Sequence, residues 1–144
     1  MQILHLGSQS EFVKLLFPEQ KIVGLAEKHN AYEPQFYGEA QVSIAVEGFT
    51  GAFMARIDSN DFLKFEDELN LLYQNLQGSA ALRPLEEQLT LHLIGNGRGA
   101  ITVTGTAYSM PSYRNHLEFT FEIDQTFLPP LLAQLSAITG SLPH

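Results

Sequence analysis

The chain has 144 residues, the length of one domain, and at that size folding hides roughly 70% of the surface that the unfolded chain exposes. Hydrophobic residues at 44% and charged residues at 17% are the proportions of a globular protein, which excludes disorder and membrane insertion as descriptions of the whole chain. Eight Lys and Arg against sixteen Asp and Glu leave a formal charge of -8, a field that repels polyphosphates and argues against direct nucleic-acid binding, while it favours encounter with a basic protein.

In chain order, Met1 to Val13 shows no basic stretch followed by a long apolar run. Nowhere does the sequence reach the ~18 apolar residues of a membrane span, so the expected location is the cytoplasm, with no membrane partner. Residues 1–40 carry short apolar patches (Ile3-Leu4, Phe12–Phe17, Ile22-Val23) broken by Pro18, Gly24, Pro34 and Gly38, which reads as irregular strands and loops. Phe12–Phe17 suits a buried strand and a short helix equally. Tyr32, Phe36 and Tyr37 flank Pro34 and read as a loop that lays its rings on the core.

From residue 41 to 144 the signals sharpen. Val42, Ile44 and Val46 alternate with polar neighbours, Glu47-Gly48 interrupts, and Phe49, Phe53, Ala55 and Ile57 resume on one face, giving a strand, a tight turn and a second strand. Gly51 inside that strand suggests a bulge or a close backbone approach. Met54 and Arg56 then point outward. Asp58-Ser59-Asn60-Asp61 offers acceptors for the free amides of a helix start, and Phe62, Phe65, Leu69, Leu72 and Leu76 form one apolar stripe, with Gly78 as the left-handed terminator. Leu89, Leu91 and Leu93 alternate with Thr90 and His92, the run Gly95–Gly99 turns, and Ile101 and Val103 alternate with Thr102 and Thr104: a β-hairpin. Tyr108–Asn115 reads as an exposed loop. Leu117, Phe119, Phe121 and Ile123 alternate with Glu118, Thr120 and Glu122 in the cleanest period-two strand of the chain. Asp124–Thr126 caps a last helix whose stripe is Leu128, Leu131, Leu132, Leu135 and Ile138, with Pro129 and Pro130 in the tolerant first turn and Gly140 at its end. The sum is one α+β domain over residues 1–144: an antiparallel sheet of about five to seven strands with two α-helices packed on one face.

Few residues invite chemistry. No cysteine is present, which excludes a disulfide framework, a thiol nucleophile and thiolate metal sites. The Gly95–Gly99 cluster leads into a strand, whereas a phosphate-binding loop must open a helix. His5, His29, His92, His116 and His144 show no metal-binding spacing; His116 shares a strand face with Glu118, a pair that a wet sheet face explains far better than a weak metal site does. The carboxylate pairs Glu86-Glu87 and Glu118 with Glu122 lack the burial that drives two pKa values apart, and Ser8, Ser10 and Ser43 have no nucleophile-elbow context. The chain is expected to be no enzyme and to hold no cofactor and no metal.

What remains is surface. Thr90, His92, Thr102, Thr104, Glu118, Thr120 and Glu122 share the wet face of the sheet, with Met54 and Arg56 expected on a neighbouring strand. Such a face is either plain solvated sheet or a flat polar platform for a protein. The helix segment Asp58–Glu68, which includes Glu66 and Asp67, sets five acids against Lys64 and is the densest negative patch. These eleven residues are the candidate partner surface.

Several of the same stretches resemble a known family. Gly48-Phe49-Thr50-Gly51-Ala52-Phe53, the helix opening at Asp61-Phe62, Leu85-Glu86-Glu87-Gln88-Leu89 and above all Phe121-Glu122-Ile123-Asp124-Gln125-Thr126-Phe127-Leu128-Pro129 look like the WapI-type immunity proteins of contact-dependent polymorphic toxin systems. The resemblance spans about residues 42–140 and leaves the first forty outside it. It implies a small bacterial cytoplasmic protein that binds and neutralises the C-terminal domain of a cognate toxin, which for the namesake is a nuclease acting on tRNA. The matching motifs are strand ends and helix caps, so no binding residue is carried over from the family. The expected partner is thus a basic toxin domain, with self-association left open. The alternative reading is a cytoplasmic ligand-binding or regulatory module.

Overall fold

Period-two runs become strands and runs spaced by three and four become helices in the computed structural model, which describes residues 2–17, 37–84, 86–110 and 114–140. The elements are β1 (Gln2–Gly7), β2 (Phe12–Phe17), β3 (Tyr37–Val46), β4 (Phe49–Asp58), α1 (Ser59–Asn75), β5 (Gln77–Leu82), β6 (Leu89–Asn96), β7 (Ala100–Tyr108), β8 (His116–Asp124), a 3-10 turn Gln125–Phe127 and α2 (Leu128–Gly140). The loop expected around Pro34, with Tyr32 and Phe36, lies outside the described residues, as do Leu85 and the tip of the Tyr108–Asn115 loop.

The α+β class holds, but the single sheet does not. Two antiparallel four-stranded sheets form, in the orders β1-β2-β3-β4 and β5-β6-β7-β8. The break falls where α1 carries the chain from β4 to β5, so the two runs of strands pair only among themselves. Phe12–Phe17, open between helix and strand, is a strand paired with both β1 and β3. Each sheet buries one face into a shared core. Leu4, Val13, Leu15, Val42, Ile44 and Ile57 come from the first, Leu82, Leu91, Leu93, Ile101, Val103 and Phe121 from the second. Phe121 reaches across far enough that a Cβ on Gly7 of β1 would lie 3.1 Å from its ring.

The helices do not share one sheet face. α2 packs on β1, α1 packs on β5, and the two pack on each other, so together they span from one sheet to the other. Phe62, Phe65, Leu69 and Leu72 of α1 and Leu128, Leu131, Leu135 and Ile138 of α2 are buried as the stripes require; Leu132 is only half-buried. α1 ends three residues before the expected Gly78. Leu76 takes the left-handed conformation (φ 58°) with its N–H donating to Leu72 O at 2.7 Å, and Gly78 (φ 114°) lies inside β5. No strand was expected there, because Gln-Gly-Ser-Ala-Ala-Leu has no alternation and no β-branched residue to announce it.

Two further expectations fail within β4. Pairing with β3 runs unbroken from Val46↔Phe49 to Tyr37↔Asp58, so Gly51 makes no bulge, and a Cβ there would meet nothing within 4 Å. Phe49, placed on the core face by alternation, is 63% exposed, since the strand runs beyond the core at its turn end.

Candidate protein-binding surface

The outer face of the second sheet is a grid set by register. Across β6, β7 and β8, Thr90 pairs with Thr106 and that with Glu118; His92 with Thr104 and that with Thr120; Ile94 with Thr102 and that with Glu122. Because side chains alternate along each strand, these rungs all point away from the core. Thr90, His92, Thr104, Glu118 and Thr120 line one concavity of about 850 Å³ together with Arg83, Glu87 and Tyr108. The expected seven residues of this face are therefore brought together, with Thr102 and Glu122 one rung beyond the concavity. Thr106 was legible from the same alternation as Thr102 and Thr104. Arg83 was not, since it follows β5.

Two polar contacts on this face involve its histidines. The Arg83 Nη2 to His92 Nε2 distance is 3.2 Å; a guanidinium only donates, so Nε2 accepts and the ring proton of His92 sits on Nδ1. His116 Nε2 and Glu118 Oε2 lie 3.6 Å apart with both side chains at least half exposed, a pair worth little in water. Among the described residues no cluster of three or more His, Asp and Glu is placed to hold a metal ion.

Met54 and Arg56 belong to β4 and so to the other sheet, a correction to the neighbouring-strand expectation. They line a second groove of about 690 Å³ with Glu39, Phe53, Gln88 and Met110. The two concavities come close along residues 86–88: Glu87 lines the first and Gln88 the second. That segment is fixed by the Tyr108 N–H donating to Gln88 O at 2.8 Å and the Gln88 amide donating to Tyr108 O at 3.2 Å.

The acids of α1 divide by role. Glu66 faces α2, where it accepts from the hydroxyls of Ser136 and Thr139 at 2.9 Å each, so it is engaged within the fold. Asp67 is exposed and remains surface. Glu68 accepts from the Ala81 N–H of β5 at 2.8 Å. Asp61 accepts from the Asp58 N–H at 3.0 Å and closes the start of the helix. Burial raises its pKa above the ordinary 3.8; the Asp58 hydrogen bond pulls the other way, the Asp58 charge raises it further, and Lys64 lowers it. At the start of the 3-10 turn, Asp124 is held below 3.8 by hydrogen bonds from the Thr126 hydroxyl and N–H.

The chain matches the model of the Immunity protein WapI-like family over residues 32–143. It belongs to that family. The match takes in β3 through α2 and leaves β1 and β2 outside, so the WapI-like portion comprises the whole second sheet, both helices and half of the first sheet. No curated protein matches the sequence with significance. Among solved structures, one chain titled as a CdiA-CT/CdiI toxin and immunity complex from Enterobacter cloacae is similar at TM-score 0.46 and 9% identity, covering 85% of this chain and 97% of that one. A chain of the MRP1/MRP2 structures from Trypanosoma brucei is similar at TM-score 0.43 and 11% identity, covering 96% and 83%. With both scores under 0.5, neither likeness bears on what this WapI-like protein does.

Proposed function

We propose that this chain binds a protein toxin domain stoichiometrically and neutralises it, without turnover. Membership in the WapI-like immunity family over residues 32–143 carries the reading. The outer face of the second sheet supports it: a hydroxyl-rich platform with Glu118, Thr120 and Glu122 exposed offers donors and acceptors that a partner can satisfy. A nuclease toxin suits an acidic chain, since a domain that holds a polyanion presents basic groups that a net charge of -8 attracts. The site of action would then be the cytoplasm, where the nuclease meets its substrate.

A small-ligand module is the competing reading. The 850 Å³ concavity has the volume of a ligand pocket, but its lining is threonine, histidine and charge, whereas small-molecule sites are mostly apolar. Growth decides between them. Where a toxin domain is encoded directly upstream of this gene, its expression should arrest bacteria, and this chain should restore growth when co-expressed and co-purify with the toxin. Arrest that persists with this chain abundant and folded overturns the neutralisation reading.

A further inference from the structure

A four-stranded sheet has two edges, and the outer row of N–H and C=O groups along an edge is a template for another strand unless something covers it. Of the four edges of the two described sheets, three are managed. On β1 the His5 N–H donates to Gln134 Oε1 of α2 at 2.7 Å. On β5 the Ala81 N–H donates to Glu68 Oε1 of α1 at 2.8 Å. On β8 the Ser109 N–H to Asn115 O bond sets which pairs with β7 are hydrogen-bonded, and the outward-facing residues are then His116, Glu118, Thr120 and Glu122, an edge flanked by charge.

The fourth edge is β4. In its two-residue hairpin, Val46 and Phe49 form the hydrogen-bonded pair at the turn, and every second pair after it, Ile44 with Gly51 and Val42 with Phe53, is bonded likewise. The backbone groups of Thr50, Ala52 and Met54 therefore point away from β3. The same parity turns the Asp58 N–H outward, where it meets Asp61. Thr50, Ala52 and Met54 have no such partner among the described residues, and the charged outward positions of the strand, Arg56 and Asp58, lie beyond them toward α1.

The space beside this edge describes its occupant. Phe53, Met54 and Met110 supply apolar surface along it, and Phe49 at the turn end is 63% exposed. At the other end Glu39, Asp58, Asp61 and Glu86 gather around Arg56, four carboxylates to one guanidinium among the described residues. An extended backbone with apolar side chains and a cationic end fits; an acidic segment does not. We infer that β4 takes up an extended, basic segment of the toxin domain as an added strand, through the backbone of Thr50, Ala52 and Met54. This rests on the neutralisation reading and names the contact by which it works.

The test is residue-resolved amide exchange on the full chain, alone and bound to the toxin domain whose growth arrest it relieves. In the complex the amides of Thr50, Ala52 and Met54 should slow at least about tenfold, while Gly51 and Phe53, already bonded to β3, change little. Ala52→Pro removes an outward N–H without touching the β3 ladder and should weaken the complex about tenfold; Glu39→Gln should weaken it less and reduce its salt dependence. A complex that forms while the three amides keep their free rates overturns the inference and leaves neutralisation standing. No complex at all removes both. Slow exchange already present in the free chain also overturns it: concentration-dependent slowing means a second copy fills the edge, and concentration-independent slowing means another part of this chain does.

Discussion

Gly105 and Phe119 face each other across β7 and β8, and the ring occupies the volume that a side chain at 105 would need. A Cβ there would lie 2.3 Å from Phe119 Cζ. The ring is stacked beside Phe121 at 6.4 Å and buried, so it cannot swing aside freely. Gly105→Ala should cost about 1–3 kcal/mol, and Phe119→Leu in the same chain should recover part of that loss, because the flat ring is the obstacle. Denaturant unfolding of the two single variants and the double variant measures the coupling; purely additive losses would contradict the packing. Asp61 makes a prediction of opposite kind. Its pKa is raised in the folded protein, so the folded state binds that proton more tightly than the unfolded state. Ionisation of Asp61 therefore costs stability as pH rises through the folded value, and the cost disappears once the pH falls below 3.8. Asp61→Asn keeps an oxygen for the Asp58 N–H and removes the titration. Relative to the parent chain it should gain thermal stability between about pH 3 and pH 7, and a difference that stays flat with pH would contradict the assignment.

Between elements, the two helices are joined by more than their apolar stripes. Glu66 of α1 holds both Ser136 and Thr139 of α2, so Glu66→Ala should cost about 1–2 kcal/mol. Exchange of the α2 amides should quicken more than that of β6 and β7 amides. Uniform quickening would show that the pair does not specifically join the helices. Periodicity made most elements legible: the 3-4 spacing from Phe62 to Leu76, the alternation from Leu117 to Ile123, and the Glu47-Gly48 hairpin all reflect one-sided burial that the sequence must encode. β5 was not legible because only Ala80 and Leu82 at its end are buried, too short a run to announce a strand. The split into two sheets was hidden for another reason, since alternation shows that a strand has a buried face but not which neighbour it joins. On the candidate surface, the Thr and Glu positions of β6 to β8 could be read from alternation. The engagement of Glu66 could not, because its partners are seventy residues away in sequence.

For the molecule as a whole, charge and shape point the same way. A net charge of -8, exposed Asp67 and Glu118, and four carboxylates at the end of the β4 groove should steer a basic partner inward. The association rate should fall on the order of tenfold from low to physiological salt, and Asp67→Lys or Glu118→Lys should slow association more than it speeds dissociation. Stopped-flow mixing checks both, and a salt-independent rate would contradict steering. Neutralisation by occupancy is the central proposal. Its most direct test is to titrate this chain into a fixed amount of the active toxin domain and follow the toxin's activity: the activity should fall linearly to nothing at one chain per toxin and stay constant in time at every lower ratio. Activity that keeps decaying at a tenth of that ratio would show turnover and contradict it, as would activity that never falls.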